Sequence, residues 1–292
     1  VRKMIPSSAS GSSMEDIVTS RFHYDELDQE SNKIKIRLNS TVISAKHKDN
    51  DLKKNIEISY IRDGKIYTVE SKKCIMACYN ALIPHLCPEM SESQKKSLKN
   101  CVRAPLVYTN VLIRNWQSFV NLGVQRVDMP GFLHHHVRLD FPISMGDYKF
   151  SSDPSKPVIL HLQSVPGEYG NPSAKEQFVA GQKKLLQTTF EEFEESIREQ
   201  LTRLLSAGGF DASEDILGIT VNRWPHGYAY GYDPETDQVA FDTESWDPTK
   251  RNWIKASKQF GNIAIASSDS ASNAMTEAAI VEAERAVNQL KE

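Results

Sequence analysis

From Lys33 to Ser44 apolar and polar residues alternate, with Ile34, Ile36 and Leu38 set against Lys33, Lys35 and Arg37. This predicts a half-buried strand running into the β-branched Thr41-Val42-Ile43. Ile56–Ile61 and Lys65–Val69 alternate as well, and the Asp63-Gly64 between them is a strong hairpin signal. "KKCIMACYN" follows as a short apolar strand suited to burial on both faces. Together these predict a β-meander that returns into a doubly wound sheet. Ser91 with Gln94 can cap a short helix through Asn100, and Leu106–Ile113 reads as a strand. Residues 114–157 carry aromatics, Gly and Pro without a period, and Val158–Leu162 is strand-like again.

Ser173 with Glu176 and Thr188 with Glu191 have the spacing of capping boxes. The second opens an amphipathic helix with Phe190, Phe193, Ile197, Leu201, Leu204 and Leu205 on one face. It should stop at Gly208-Gly209, where a left-handed cap is easy for glycine. Ile216–Val221 is a strand leading into "RWPHGYAYGY". The tail reads as a strand (Asn262–Ala266), a small polar loop (Ser267–Asn273) and an Ala-rich helix (Ala274–Leu290).

Composition narrows the function classes only a little. A net charge of −3 over 292 residues lacks the basic excess of a nucleic-acid binder, and its mild acidity suits a cationic ligand. No apolar run approaches the ~20 residues that span a bilayer. Cys74, Cys78, Cys87 and Cys101 do not have zinc spacing and read as reduced core thiols. His134-His135-His136 invites a metal reading, but no fourth ligand is apparent nearby; a solvated or substrate-lining loop is the plainer account. Glu191, Glu192, Glu194, Glu195 and Glu199 make either a solvated helix face or a lure for cations near an entrance.

Two segments carry candidate chemistry. A buried strand, small residues with one acid and a helix N-terminus form a generic dinucleotide site, although many such units bind nothing. There Asp269 can accept from sugar or ribityl hydroxyls, and the helix start at Met275-Thr276 can donate to a ring carbonyl. In the second segment Trp224, His226, Tyr228 and Tyr230 share one face of an extended run. They read either as aromatic walls for a cationic amine or as a strand packing a core. His226 is a proton acceptor on the first reading and a hydrogen-bonded core histidine on the second.

"GNIAIASSDSASNAMTEAAIVEAERAVNQL" resembles the C-terminal FAD motif of the flavin amine oxidase superfamily, with Ser268 where that pattern has Gly. The resemblance puts Asp269 at the motif's acid and the Thr276 backbone N–H against the flavin pyrimidine. "IRLNSTVISAKH" resembles the segment whose Val backbone meets adenine, here Val42, and Trp224, Gly227 and Tyr228 match residues beside the flavin. "ACYNALIPHLCPE", "PLVYTNVLIRNW", "LDFPISMGDY" and "TVNRWPHGYAYGY" resemble bacterial spermidine dehydrogenase-like proteins, covering the chain from about Ser13 to Leu290.

The resemblance implies an α/β fold with an α+β substrate part, the C-terminal portion of a two-domain FAD-binding amine-oxidase-type fold. Residues 1–85 and 255–292 would belong to the FAD-binding domain and residues 86–254 to a substrate domain. It implies oxidation of a polyamine such as spermidine, by hydride transfer to flavin and hydrolysis of the imine. Gly227 and Tyr230 would face substrate, and Trp224, His226 and Tyr228 the reaction. Dioxygen or a redox protein would take the electrons. Some relatives carry haem as well as FAD, but no axial ligand can be assigned. The family often has a twin-Arg export signal, which would make the protein periplasmic, with the cytoplasm as alternative. A desaturase-like flavin oxidoreductase, or a non-catalytic binding module without flavin, are the other readings. The chain opens at Val1 like the middle of a longer protein and contains no G-x-G-x-x-G. That fingerprint is expected before Val1, and this segment alone is expected to bind little FAD.

Overall fold

The computed structural model describes residues 1–168, 170–231, 247 and 251–291. The meander forms as expected: β1 (Thr41–His47), β2 (Ile56–Arg62) and β3 (Lys65–Ser71) pair antiparallel in sequence order. Asp63 and Gly64 both take positive φ, 50° and 72°, which suits the right-handed twist of the strands they join. The strand predicted over 33–40 does not form. That stretch has no partner strand among the described residues, and its cations turn back to local acids, Lys35 to Glu30 at 2.9 Å and Arg37 to Asp28 at 3.3 Å.

β4 (Cys74–Met76) lies parallel to β10 (Ile263–Ile265), with Ile263 opposite Cys74 and Ile265 opposite Met76. β10 is buried on both sides. Ile263 and Ile265 join a core with Ala45, Ile56, Met76, Leu98 and Ala256, drawn from the meander, β4, α3 (Glu92–Lys99) and α8 (Asn252–Ala256). Ala264 and Ala266 face the other way, onto Ala286 and Leu290 of the tail helix α9 (Thr276–Gln289) and its cap. Ser91 caps α3 by accepting from the Gln94 N–H.

The middle of the chain builds a five-stranded antiparallel sheet in the order β6-β7-β8-β5-β9. Its strands are β5 (Arg103–Ile113), β6 (Arg126–Asp128), β7 (His136–Asp140), β8 (Val158–Ser164) and β9 (Ile216–Ala229). β9 reaches eight residues past the predicted Val221, taking in the aromatic run; Pro225 is tolerated because β9 is an edge strand. Within 114–157, where no element was predicted, α4 (Gln117–Leu122) forms beside β6 and β7.

One face of this sheet is covered by α5 (Ala174–Gln187) and α6 (Phe190–Leu205). Phe193, Ile197, Leu201 and Leu205 of α6 are buried in one core with Val107, Val111, Val137, Leu160 and Leu162. Each such side chain contributes about 1.5–3 kcal/mol of transfer free energy. α6 starts one residue later than predicted. Thr189 accepts from the Glu192 N–H and Glu192 returns a carboxylate to the Thr189 N–H, while Thr188 ends α5. Both threonines precede a Glu by three, so spacing alone could not separate them. Phe190, predicted for the buried face, is 46% exposed at the helix mouth. The helix stops at Gly209, left-handed at φ 95°.

Among the described residues the opposite face of the sheet is open. Strand register places Asn222, Tyr108, Gln163, His136 and Asp128 in one row across all five strands. Thr220, Asn110, His161, Arg138 and Arg126 form the next row on the same face. A polar open face opposite an apolar covered one is the expected habit of an antiparallel sheet.

Candidate active site

At the carboxyl ends of the parallel strands β4 and β10 lies a groove of about 530 Å³, where ligands of α/β sheets collect. Its lining includes Ala77, Tyr79, Arg103, Ala266, Ser268 and Ala279. The small side chains leave the backbone approachable, and Ala279 and Ala283 continue the wall down one side of α9. Met275 is the N-cap of that helix and gives no side-chain hydrogen bond. Met275 and Thr276 are exposed, so the first N–H groups of α9, which have no intrahelical partner, stay accessible. Neither Met275 nor Thr276 is among the groove's lining residues, which meet α9 at Ala279 and Ala283; small residues and apolar walls along the helix that carries those donors suit a flat ring with carbonyl acceptors.

Ser268 lines the groove. Asp269 sits beneath it, buried, with both carboxylate oxygens engaged by the chain itself. Oδ2 accepts from the Asn80 N–H at 3.0 Å, and Oδ1 lies 2.9 Å from Arg103 Nε in an ion pair whose N–H is not aimed along the contact. Val42 is not among the groove's lining residues; it stands on β1 opposite Tyr60, 40% exposed, at the edge of a bulge.

The aromatic run divides. Trp224 and Tyr228 stand on the open face of the sheet, 50% and 41% exposed, so the core-packing alternative does not hold for them. His226 is exposed too, its ring 5.8 Å from the Tyr79 ring of the groove. Tyr230 does not share that face. β9 ends at Ala229, and the Tyr230 ring packs on Phe178 at 6.3 Å and under the Lys175 ammonium at 4.6 Å. Tyr232 of the same motif lies outside the described residues. Gly227 is pressed against β5, where an added Cβ would meet Leu106 Cβ at 2.7 Å.

Several residues of the site had no assigned role in the sequence. The Tyr228 and Tyr108 hydroxyls share a 2.5 Å hydrogen bond, the Tyr108 ring lies 5.1 Å from that of His161, and His161 Nδ1 meets Asn110 Oδ1 at 3.1 Å. Burial and then the Tyr228 partner push the Tyr108 phenol up to about 12, so it stays protonated at neutral pH. Burial and the Arg138 charge lower His161, keeping its ring neutral. Tyr79 and Arg103 could only have been flagged weakly, as a ring after "AC" and as the one cation opening an otherwise apolar strand.

The histidine triplet is divided as well. His134 is not in a solvated loop: it is fully buried between Thr109 Oγ1 (2.9 Å) and Gln200 Oε1 (3.3 Å), and burial lowers its pKa to about 4. His136 pairs with Asp128 at 2.8 Å, and His135 lines a separate hollow of about 780 Å³ beside α5 and α6. No group of three metal-ligating side chains exists among the described residues. The four cysteines are free thiols, and burial pushes Cys101 to about 11 and Cys87 to about 12. No described helix is long and apolar enough to cross a membrane.

No family model matches the chain, and no curated protein matches it. Solved structures do. Putrescine oxidase, wild type bound to putrescine, superposes with a TM-score of 0.55 at 14% identity, over 87% of this chain and 49% of that one. A double mutant of putrescine oxidase, from a redesign of its cofactor binding, gives 0.53 at 13%, over 86% and 48%. The chain thus spans about half the length of the solved structures it matches. At such identity the likeness is one of architecture: this α/β chain carries part of the putrescine oxidase fold.

Proposed function

We propose that the chain is part of an FAD-dependent amine oxidoreductase of the flavin amine oxidase superfamily, acting on a polyamine of the spermidine or putrescine type. Residues 1–85 and 255–292 serve the cofactor, and residues 86–254 the substrate. The observation that carries this reading is adjacency. The groove along α9 abuts, through Tyr79 and His226, the aromatic edge strand of the sheet, where Trp224 and Tyr228 are exposed among the described residues. The likeness of fold to a putrescine-bound oxidase supports it.

Ser268, Thr276 and the first N–H groups of α9 are the residues that would hold the ring. When bound, FAD supplies the hydride acceptor. The chain's own groups do the rest. Trp224 and Tyr228 offer π faces that attract an ammonium group and orient the carbon beside it, each worth about 0.5–2 kcal/mol. His226, exposed beside them, takes the proton that the ammonium must lose before its C–H bond can react.

The test uses the full-length protein loaded with FAD and mixed anaerobically with spermidine, putrescine or an apolar alkene. Bleaching of the flavin by the amines alone, slowed about tenfold or more in Trp224→Ala, is expected. Bleaching by the alkene alone would favour a desaturase. A full-length protein that takes up no flavin would sink the proposal and leave a binding module. Unchanged kinetics in Trp224→Ala would remove that residue from the site.

A further inference from the structure

Arg103 joins Tyr79, Ser268 and Asp269 at the groove to the Gly227 backbone of the aromatic strand. It opens β5, opposite Ala229 of β9, and its side chain is 12% exposed. Nε pairs with Asp269 at 2.9 Å, Nη1 donates to the Gly227 carbonyl at 3.1 Å, and Nη2 donates to Ser268 Oγ at 3.3 Å. Its guanidinium plane sits 4.3 Å from the centre of the Tyr79 ring. From behind, Gln182 of α5 donates to the Arg103 carbonyl at 2.6 Å.

These contacts give Asp269 a role within the protein itself. With the Asn80 N–H on one oxygen and Arg103 against the other, the carboxylate is the buried anchor of a cation. That cation fixes the 268–272 loop before α9 and the Gly227 carbonyl, which lies between His226 and Tyr228. A lysine would keep the charge but not the fork, because only a guanidinium donates along several fixed directions at once.

We propose that Arg103 is a positioning residue that sets the groove and the aromatic strand at one fixed spacing, so that a ring held under α9 meets an amine held on β9. This rests on the reading of the groove as the flavin site. In the full-length protein, Arg103→Gln should weaken FAD binding, measured by quenching of FAD fluorescence, by about tenfold or more, and change the visible circular dichroism of the bound flavin. Asp269→Asn should do the same. The double variant should bind FAD no worse than either single one, since the two charges act as a unit. Arg103→Lys should recover most of the affinity without recovering the dichroism.

A second reading is independent of flavin. Hydrogen exchange at the Asn80 amide, which donates to Asp269, should quicken about tenfold or more in Arg103→Gln and in Arg103→Lys. Quicker exchange in a protein that takes up no flavin would keep the strut and remove the flavin reading. Unchanged Asn80 exchange in folded Arg103→Lys, or unchanged FAD affinity and dichroism in folded Arg103→Gln, would overturn the proposal.

Discussion

Gly227 offers the sharpest test of how the aromatic strand is seated. A methyl added there would stand 2.7 Å from Leu106 Cβ and 3.0 Å from the Ala104 carbonyl, across the irregularity where β5 and β9 shift register. Carbon atoms rest at about 3.5–4.0 Å, so β9 would have to retreat by roughly 1 Å. Two listening points sit on that segment: the Gly227 carbonyl held by Arg103 and the Tyr228 hydroxyl held by Tyr108. Overpacking of this kind costs about 1–3 kcal/mol. For a domain of this size that corresponds to a fall in melting temperature of roughly 2–10 °C. Gly218 on the same strand is the control, since an added Cβ there meets nothing within 4 Å. Gly218→Ala should be neutral or stabilising by up to about 1 kcal/mol, through a less free unfolded chain. Thermal melts followed by circular dichroism decide it. If Gly227→Ala melts level with Gly218→Ala, the tight seating of β9 on β5 is wrong.

Two further outcomes are expected. Thr189→Ala should lose about 1 kcal/mol in urea unfolding, as a lost N-cap does, while Thr188→Ala should lose clearly less; the reverse order would return the cap to Thr188. His134, ordinary when unfolded but held near 4 when folded, binds a proton in the unfolded chain that the native chain refuses between those values. Stability is therefore full above about pH 6.5 and falls as pH drops toward 4, with about 2 kcal/mol lost by pH 5. His134→Gln should flatten that part of the urea-midpoint profile, and an equally steep profile would show that His134 is not its source.

Local chemistry made much of this architecture legible. Asp63-Gly64 can hardly do anything but turn a hairpin, and the run from Phe193 to Leu205 has one apolar side, so both elements are where the pattern put them. The tail reads equally well, because a buried strand, small residues and an alanine-rich helix are determined within 30 residues. What failed was what depends on distant partners. The alternation at Lys33–Leu38 has the period of a strand but no neighbour to pair with, and its charges found Glu30 and Asp28 instead. β9 outran its prediction because β5 lay ready to pair with residues whose own propensities are mixed. Of the candidate site, Trp224, His226 and Tyr228 were legible by alternation; Tyr230 was lost because the strand stops one residue before it. Arg103 and Tyr79 carried only a weak local signal and Tyr108 none, since their roles exist only once β5 lies beside β9 and the tail.

The groove is walled by segments far apart in the chain: Asn80 and Asp269, joined by a hydrogen bond, are separated by 189 residues. Closing a loop of that length costs about 4–5 kcal/mol of chain entropy before any contact repays it. During synthesis the meander and β4 emerge long before β10 and α9 exist, so for that interval Cys74–Met76 lacks the strand Ile263–Ile265 that it lies beside in the fold. The open sheet, whose strands all fall between residues 103 and 229, is free to fold first and bring the two flanks together. Under the proposed function, substrate recognition and cofactor retention would then mature at different moments in the life of one polypeptide, the second waiting on the first.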